Sequence, residues 1–185
     1  MDDASTRIIT LAGGCFWCTE AVFLRVRGVR EAVSGYANGA GPQPSYEQVC
    51  TGGTGYAEAV QLFYDPAQVA LRDLLVVFFG THDPTSLNRQ GHDVGTQYRS
   101  GVYWSDPADE PVVRAVRDEV DRACQGRVVT ECEPLRNYWP AEPYHRRYFE
   151  QHPGQGYCAH VVAPKVAHFR DTLDRKSTRL NSSHS

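Results

Sequence analysis

The chain has 185 residues, 41% of them hydrophobic, and a formal net charge of −3, which suits one packed domain. The mildly acidic balance, without a basic patch interleaved with aromatics, argues against nucleic acid as a partner. No apolar run approaches the ~20 residues that span a bilayer, and the polar residues 1–7 resemble no signal or transit peptide, so no membrane partner and a cytoplasmic location are expected.

In chain order, the apolar residues 8–12 read as a strand and residues 19–24 as a helix, with Gly13 and Gly14 freeing the turn between them. Residues 29–33 alternate as a second strand, and the Gly, Pro and Asn content of residues 35–45 predicts a loop. A short helix over 46–50 and a glycine turn over 51–55 lead into a strand over 56–64, closed by Asp65-Pro66. Residues 71–81 are apolar at helical spacing. The polar residues 82–99 form a long loop of the composition that binding loops have. A strand over 101–104 precedes Asp106-Pro107, a cap-and-proline helix start whose Val112, Val113, Val116 and Val120 stripe carries a helix to about Cys124. A strand over 128–133, a short aromatic helix over 144–151 and a last helix over 164–173 complete the pattern. Strands and helices alternate only loosely, which favours a two-layer α+β domain over a doubly wound sheet. Residues 176–185 have no apolar period, read as an appended polar tail, and are excluded from the fold.

Cys15 falls at the strand-to-helix turn, at the positive end of a helix dipole that favours the thiolate. Phe16 and Trp17 follow at once, where an ordinary turn is small and polar. A reactive thiolate beside an aromatic wall points to a thiol enzyme acting on a small, partly apolar group. Three other readings of Gly14-Cys15-Phe16-Trp17-Cys18 stay open: a buried small hydrophobe, half of a zinc site, and a thioredoxin-like redox pair. Cys50, Cys124, Cys132 and Cys158 supply no second C-x-x-C, which argues against a four-cysteine zinc ribbon. Six cysteines without a signal peptide fit reduced thiols better than a disulfide framework.

Five ordered blocks between about Arg7 and Leu173 resemble the peptide methionine sulfoxide reductase family of type A. They are Gly14-Cys15-Phe16-Trp17; Pro44-Ser45-Tyr46-Glu47-Gln48-Val49-Cys50; Thr54-Gly55-Tyr56-Ala57-Glu58-Ala59-Val60; His82-Asp83-Pro84-Thr85 with residues 89–100; and Tyr144-His145-Gln151 with Tyr157-Cys158. The resemblance implies a two-layer α+β sandwich with a mixed, mainly antiparallel sheet, a ferredoxin-like core, flanking helices and long loops. It implies one catalytic domain over residues 1–175. It also implies reduction of the S epimer of methionine sulfoxide, free or in proteins, with no metal or cofactor, thioredoxin as reductant, and a monomeric enzyme.

The implied roles agree with the chemistry of the side chains. A sulfoxide has an electrophilic sulfur and a basic oxygen, so reduction by a thiol needs attack at sulfur and a proton on oxygen. Cys15 is the implied nucleophile and Glu58 the implied proton donor, its pKa raised by exclusion of water. Tyr46 and Tyr98 are implied donors to the sulfoxide oxygen, Phe16 and Trp17 the wall for the S-methyl group, and Asp93 a loop residue that orders the site. Cys158 and Cys18 are the candidates to resolve the sulfenic acid left on Cys15. Cys50 is expected to be buried and structural, and Cys124 and Cys132 to be core or surface thiols. Two rivals remain: a dithiol–disulfide oxidoreductase using Cys15 and Cys18 without Glu58, and a zinc-binding module using scattered cysteines with His82, His92, His145 or His160.

Overall fold

The computed structural model describes residues 5–152, the Phe149 side chain excepted. Strand β1 (Arg7–Gly13) buries its last five residues because it pairs antiparallel on both edges. Helix α1 (Phe16–Phe23) starts three residues earlier than the helix expected from residue 19. Strand β2 (Val29–Ala37), helix α2 (Tyr46–Cys50), strand β3 (Ala57–Tyr64) and helix α3 (Leu71–Thr81) follow. Residues 82–99 carry two short paired strands, β4 (Arg89–Gln90) and β5 (Asp93–Val94), and a 3₁₀ turn over Thr96–Tyr98. Strand β6 (Ser100–Trp104), helix α4 (Glu110–Ala123), strand β7 (Glu131–Pro134), strand β8 (Tyr138–Pro140) and helix α5 (Tyr148–Gln151) complete the described residues.

The main sheet has the order β7-β6-β1-β3-β2-β8. Among the described residues only the β6–β7 pairing is parallel. Its inner strands, β6-β1-β3-β2, with α1 crossing from β1 to β2 and α3 from β3 to β6, make the ferredoxin-like core. The period-2 alternation sorts the faces. Ile9, Leu11, Val60, Leu62, Val102 and Trp104 meet the apolar sides of α1, α3 and α4 in one large core. Ala12, Ala37, Ala57, Ala59 and Tyr103 form a thinner layer on the other face, under Leu135 and Tyr138.

Other expectations need correction too: the strand expected over 128–133 runs over Glu131–Pro134. Strand β2 does not end at residue 33: it continues through Ser34, Gly35, Tyr36 and Ala37, all buried, where a loop was expected from residue 35. Gly35 looked like a loop residue but marks a close approach, since a Cβ there would lie 2.5 Å from the Trp139 carbonyl oxygen of β8. Strand β8 itself is absent from the sequence reading; Pro140 ends it at the sheet edge, where a missing N–H is tolerated. The helix expected over 144–151 is split into a 3₁₀ turn (Pro143–His145) and α5, because Arg147 between them is left-handed at φ 51°. The expected helix over 164–173, the tail and Cys158 lie outside the described residues. Among the described residues no helix is long and apolar enough to cross a membrane.

Candidate active site

Cys15 is the N-cap of α1, placed where the central strand β1 ends. The turn is built for close packing. Gly14 has φ 93°, and a Cβ on it would lie 2.8 Å from Cγ of Gln90. Gln90 in turn fastens the long loop: its Oε1 accepts from the Asp83 N–H at 2.9 Å and its Nε2 donates to the Asp83 carbonyl at 2.5 Å. Behind this, His82 bridges the Phe78 carbonyl (2.8 Å) and the Ser100 hydroxyl (2.7 Å), which shares a further bond with Thr130 (2.7 Å). The loop that carries Asp93 and Tyr98 is thereby fixed at its root against the Cys15 turn.

Cys15 is 6% exposed and Glu58, reaching in from β3, only 1%. The first helical N–H, that of Phe16, donates to Glu58 Oε1 at 3.1 Å. A carboxyl thus sits against the start of the helix that Cys15 caps, filling one of the donors a helix leaves open there. Glu58 Oε2 is buried and has no hydrogen-bond partner among the described residues. Burial pushes the Glu58 carboxyl well above the usual carboxylate range, and negative charge on Cys15 pushes it further; the Phe16 N–H pulls the other way. A protonated Glu58 has a proton to give, and its unpartnered oxygen is a place from which to give it.

Tyr46 opens α2, whose Ser45 and Gln48 form a reciprocal capping box. Burial raises the Tyr46 phenol, and the charge of Glu58 raises it further. The same two causes act on Tyr98 at the end of the loop, with Asp93 adding to them. Both phenols stay neutral donors. The structure therefore brings Cys15, Glu58, Tyr46, Tyr98 and Asp93 into one electrostatic neighbourhood.

Phe16 is 1% exposed, with Tyr36, Tyr46 and His145 rings 5.8, 6.2 and 5.1 Å from its own. Trp17 is half-buried, stacked on Tyr148 at 3.9 Å, and donates its indole N–H to His145 Nδ1 at 3.0 Å. Four supporting residues have no role in the catalytic scheme expected from the sequence: Tyr36, Glu142, His145 and Tyr148. Glu142 accepts from the Tyr36 hydroxyl at 2.8 Å and from the Tyr46 N–H at 3.0 Å, bracing the wall and α2 together. Burial alone would raise its carboxyl, but these donors outweigh that and hold it below the usual range. Nothing in Ala141-Glu142-Pro143 distinguishes it from a surface loop; His145 had only a block match and the rival zinc reading to mark it.

The cysteines separate by environment. Cys18 is 4% exposed and packed into the main core. Cys50, expected to be buried, is exposed: it ends α2 one turn beyond Tyr46, on the rim rather than in the core. Cys124 and Cys132 are half-buried, and burial pushes the Cys132 thiol up to about 11. Cys158 lies outside the described residues. His82 and His145 are held in separate hydrogen-bonded settings, and no three His, Cys, Asp or Glu side chains converge on a metal position among the described residues.

A family sequence description, peptide methionine sulfoxide reductase, matches residues 7–177. Peptide methionine sulfoxide reductase MsrA of Polynucleobacter asymbioticus is 53% identical over 163 residues, 87% of this chain and 86% of that protein. The reduced form of Mxr1 from Saccharomyces cerevisiae superposes with a TM-score of 0.80 at 38% identity, covering 85% of this chain and 91% of the yeast chain. Mxr1 in its complex with Trx2 superposes with a TM-score of 0.59 at 29% identity, covering 80% and 87%.

Proposed function

This chain belongs to the type A peptide methionine sulfoxide reductase family, and on that premise we propose how its own residues reduce the sulfoxide. The observation that carries the proposal is the Phe16 N–H···Glu58 contact beside Cys15, with the second Glu58 oxygen buried and unpartnered among the described residues. The Cys15 thiolate attacks the sulfoxide sulfur while Glu58 delivers its proton to the sulfoxide oxygen. Tyr46 and Tyr98 donate to that oxygen, Phe16 and Trp17 enclose the methyl group, and Asp93 orders the loop. The oxygen passes to Cys15: the substrate sulfur gains two electrons and leaves as methionine, and Cys15 becomes a sulfenic acid.

A second thiol then attacks the Cys15 sulfur, forming the S–S bond and releasing water. We assign this to Cys158 in preference to Cys18. A Cys15–Cys18 disulfide would join two sulfurs that are 6% and 4% exposed as residues, shielded from an external dithiol. The Trx2 complex of the yeast relative supports thioredoxin as the reductant, and thiol-rich chemistry of this kind supports a cytoplasmic setting. In peptide mapping after one turnover without reductant, Cys158→Ser is expected to stall as the sulfenic acid and Cys18→Ser to form its disulfide normally; the reverse pattern makes Cys18 the resolver.

The reaction is tested by stereochemistry. A methyl wall on one side and oxygen donors on the other make a chiral pocket, so the S epimer of a methionine sulfoxide peptide should be reduced and the R epimer left. Equal rates with dithiothreitol would contradict the assignment of both walls.

A further inference from the structure

We propose that Glu20 is a positioning residue that holds Trp17 in its working orientation by clasping the backbone at Arg147. The inference rests on the reading of Trp17 as the wall of the methyl pocket. Glu20 lies three residues after Trp17, so both project from one face of α1. Residues 145–148 run along that face and touch it at three points. His145 Nδ1 accepts the Trp17 indole N–H at 3.0 Å. Tyr148 stacks on the indole at 3.9 Å and 9°. Between them, the Arg147 N–H donates to Glu20 Oε1.

The middle point sets the other two. Arg147 is a non-glycine residue in the left-handed region, at φ 51° and ψ 37°, and that turn separates the His145 contact from the Tyr148 stack. Its guanidinium points outward to Glu150 at 3.0 Å, so the clasp uses its N–H alone. Glu20 is 2% exposed, and its other oxygen accepts from the Ser34 hydroxyl of β2 at 2.8 Å, which anchors the carboxyl to the sheet. Two donors thus converge on two acceptor oxygens. A glutamine offers only one acceptor and turns an NH₂ toward a donor, so an isosteric change breaks the clasp.

The test combines kinetics on a methionine sulfoxide peptide, with dithiothreitol as reductant, and tryptophan emission, the Trp17 share being read by difference from Trp17→Phe. Glu20→Gln should raise KM roughly tenfold, the worth of one buried hydrogen bond to a charged group. It should leave kcat within about threefold and the pH profile unmoved, and it should shift the Trp17 emission. Arg147→Gly keeps the N–H and adopts positive φ freely, so it should match the wild-type protein in both readouts. If Glu20→Gln does not fold, Ser34→Ala, which removes the hydroxyl anchoring the Glu20 carboxyl to β2, should raise KM and shift the emission in the same direction. Unchanged Trp17 emission in the folded Glu20→Gln protein, or in Ser34→Ala where Glu20→Gln does not fold, overturns the proposal. So does an Arg147→Gly defect as large as that of Glu20→Gln, which would assign the contact to the guanidinium. An emission shift with an unaltered KM upholds the clasp and instead removes Trp17 from the pocket wall.

Discussion

Replacing Cys15 by serine is expected to abolish sulfoxide reduction, with no first-turnover burst of methionine and an unchanged melting temperature. A serine hydroxyl at neutral pH has none of the thiolate character that attack at sulfur requires, and oxygen cannot take up the sulfoxide oxygen as a sulfenic acid. The fold should not notice. Cys15 makes no side-chain cap bond to its own helix, so an isosteric hydroxyl costs the helix no cap. Detectable single-turnover methionine in Cys15→Ser would remove the nucleophile from the scheme.

Glu58→Gln should slow the chemical step roughly 10²–10⁴-fold, the usual worth of general acid catalysis. The amide oxygen can still accept the Phe16 N–H, so geometry survives and only the proton is lost. Two pH signatures accompany it. In the wild-type protein the rate should fall as pH rises through the raised pKa of Glu58, and that limb should vanish in Glu58→Gln. Stability moves in the same direction. The folded protein holds the Glu58 proton more tightly than the unfolded chain does, so between the ordinary carboxylate value and the raised one it binds more protons folded than unfolded, and stability is lost as pH increases. Glu58→Gln has no such loss, so its melting temperature should exceed the wild-type value by more at pH 8 than at pH 5. Full single-turnover activity in this variant would place the proton donor elsewhere, and a rival dithiol mechanism using Cys15 and Cys18 needs no acid at position 58.

The sequence made some of this legible and hid the rest for physical reasons. Residues 71–81 were read to their observed ends because Leu71, Leu74, Leu75 and Phe78 repeat at helical spacing and all face the core. Cys15 is legible because a strand, two glycines and a helix put it in the turn between them, although the helix begins at Phe16 and not at residue 19. Glu58 was legible only through its motif, since an acid in an alternating strand is ordinarily solvated. The continuation of β2 was hidden by Gly35, whose lack of a side chain serves β8, a partner more than 100 residues away. Glu142 was hidden for the same kind of reason: its two donors, Tyr36 and Tyr46, are distant in sequence and meet it only after the sheet has formed. Contacts of that kind carry no local period, so no reading of neighbouring residues finds them.

The place of β1 inside the sheet has a consequence for how the enzyme can breathe. Ile9 and Leu11 are fully buried in a strand paired along both edges, so their amide protons should exchange with solvent only when the whole domain opens. Residues 82–99 are held mostly by side-chain contacts, those of Gln90, His82, Thr96, Gln97 and Arg99, and by a two-residue ladder, so they should open before the central strand does. The nucleophile is thus attached to an element expected to open last, and Asp93 and Tyr98 to a loop expected to open sooner. A bulky oxidised protein should then be able to shift that loop without moving the sulfur it must meet.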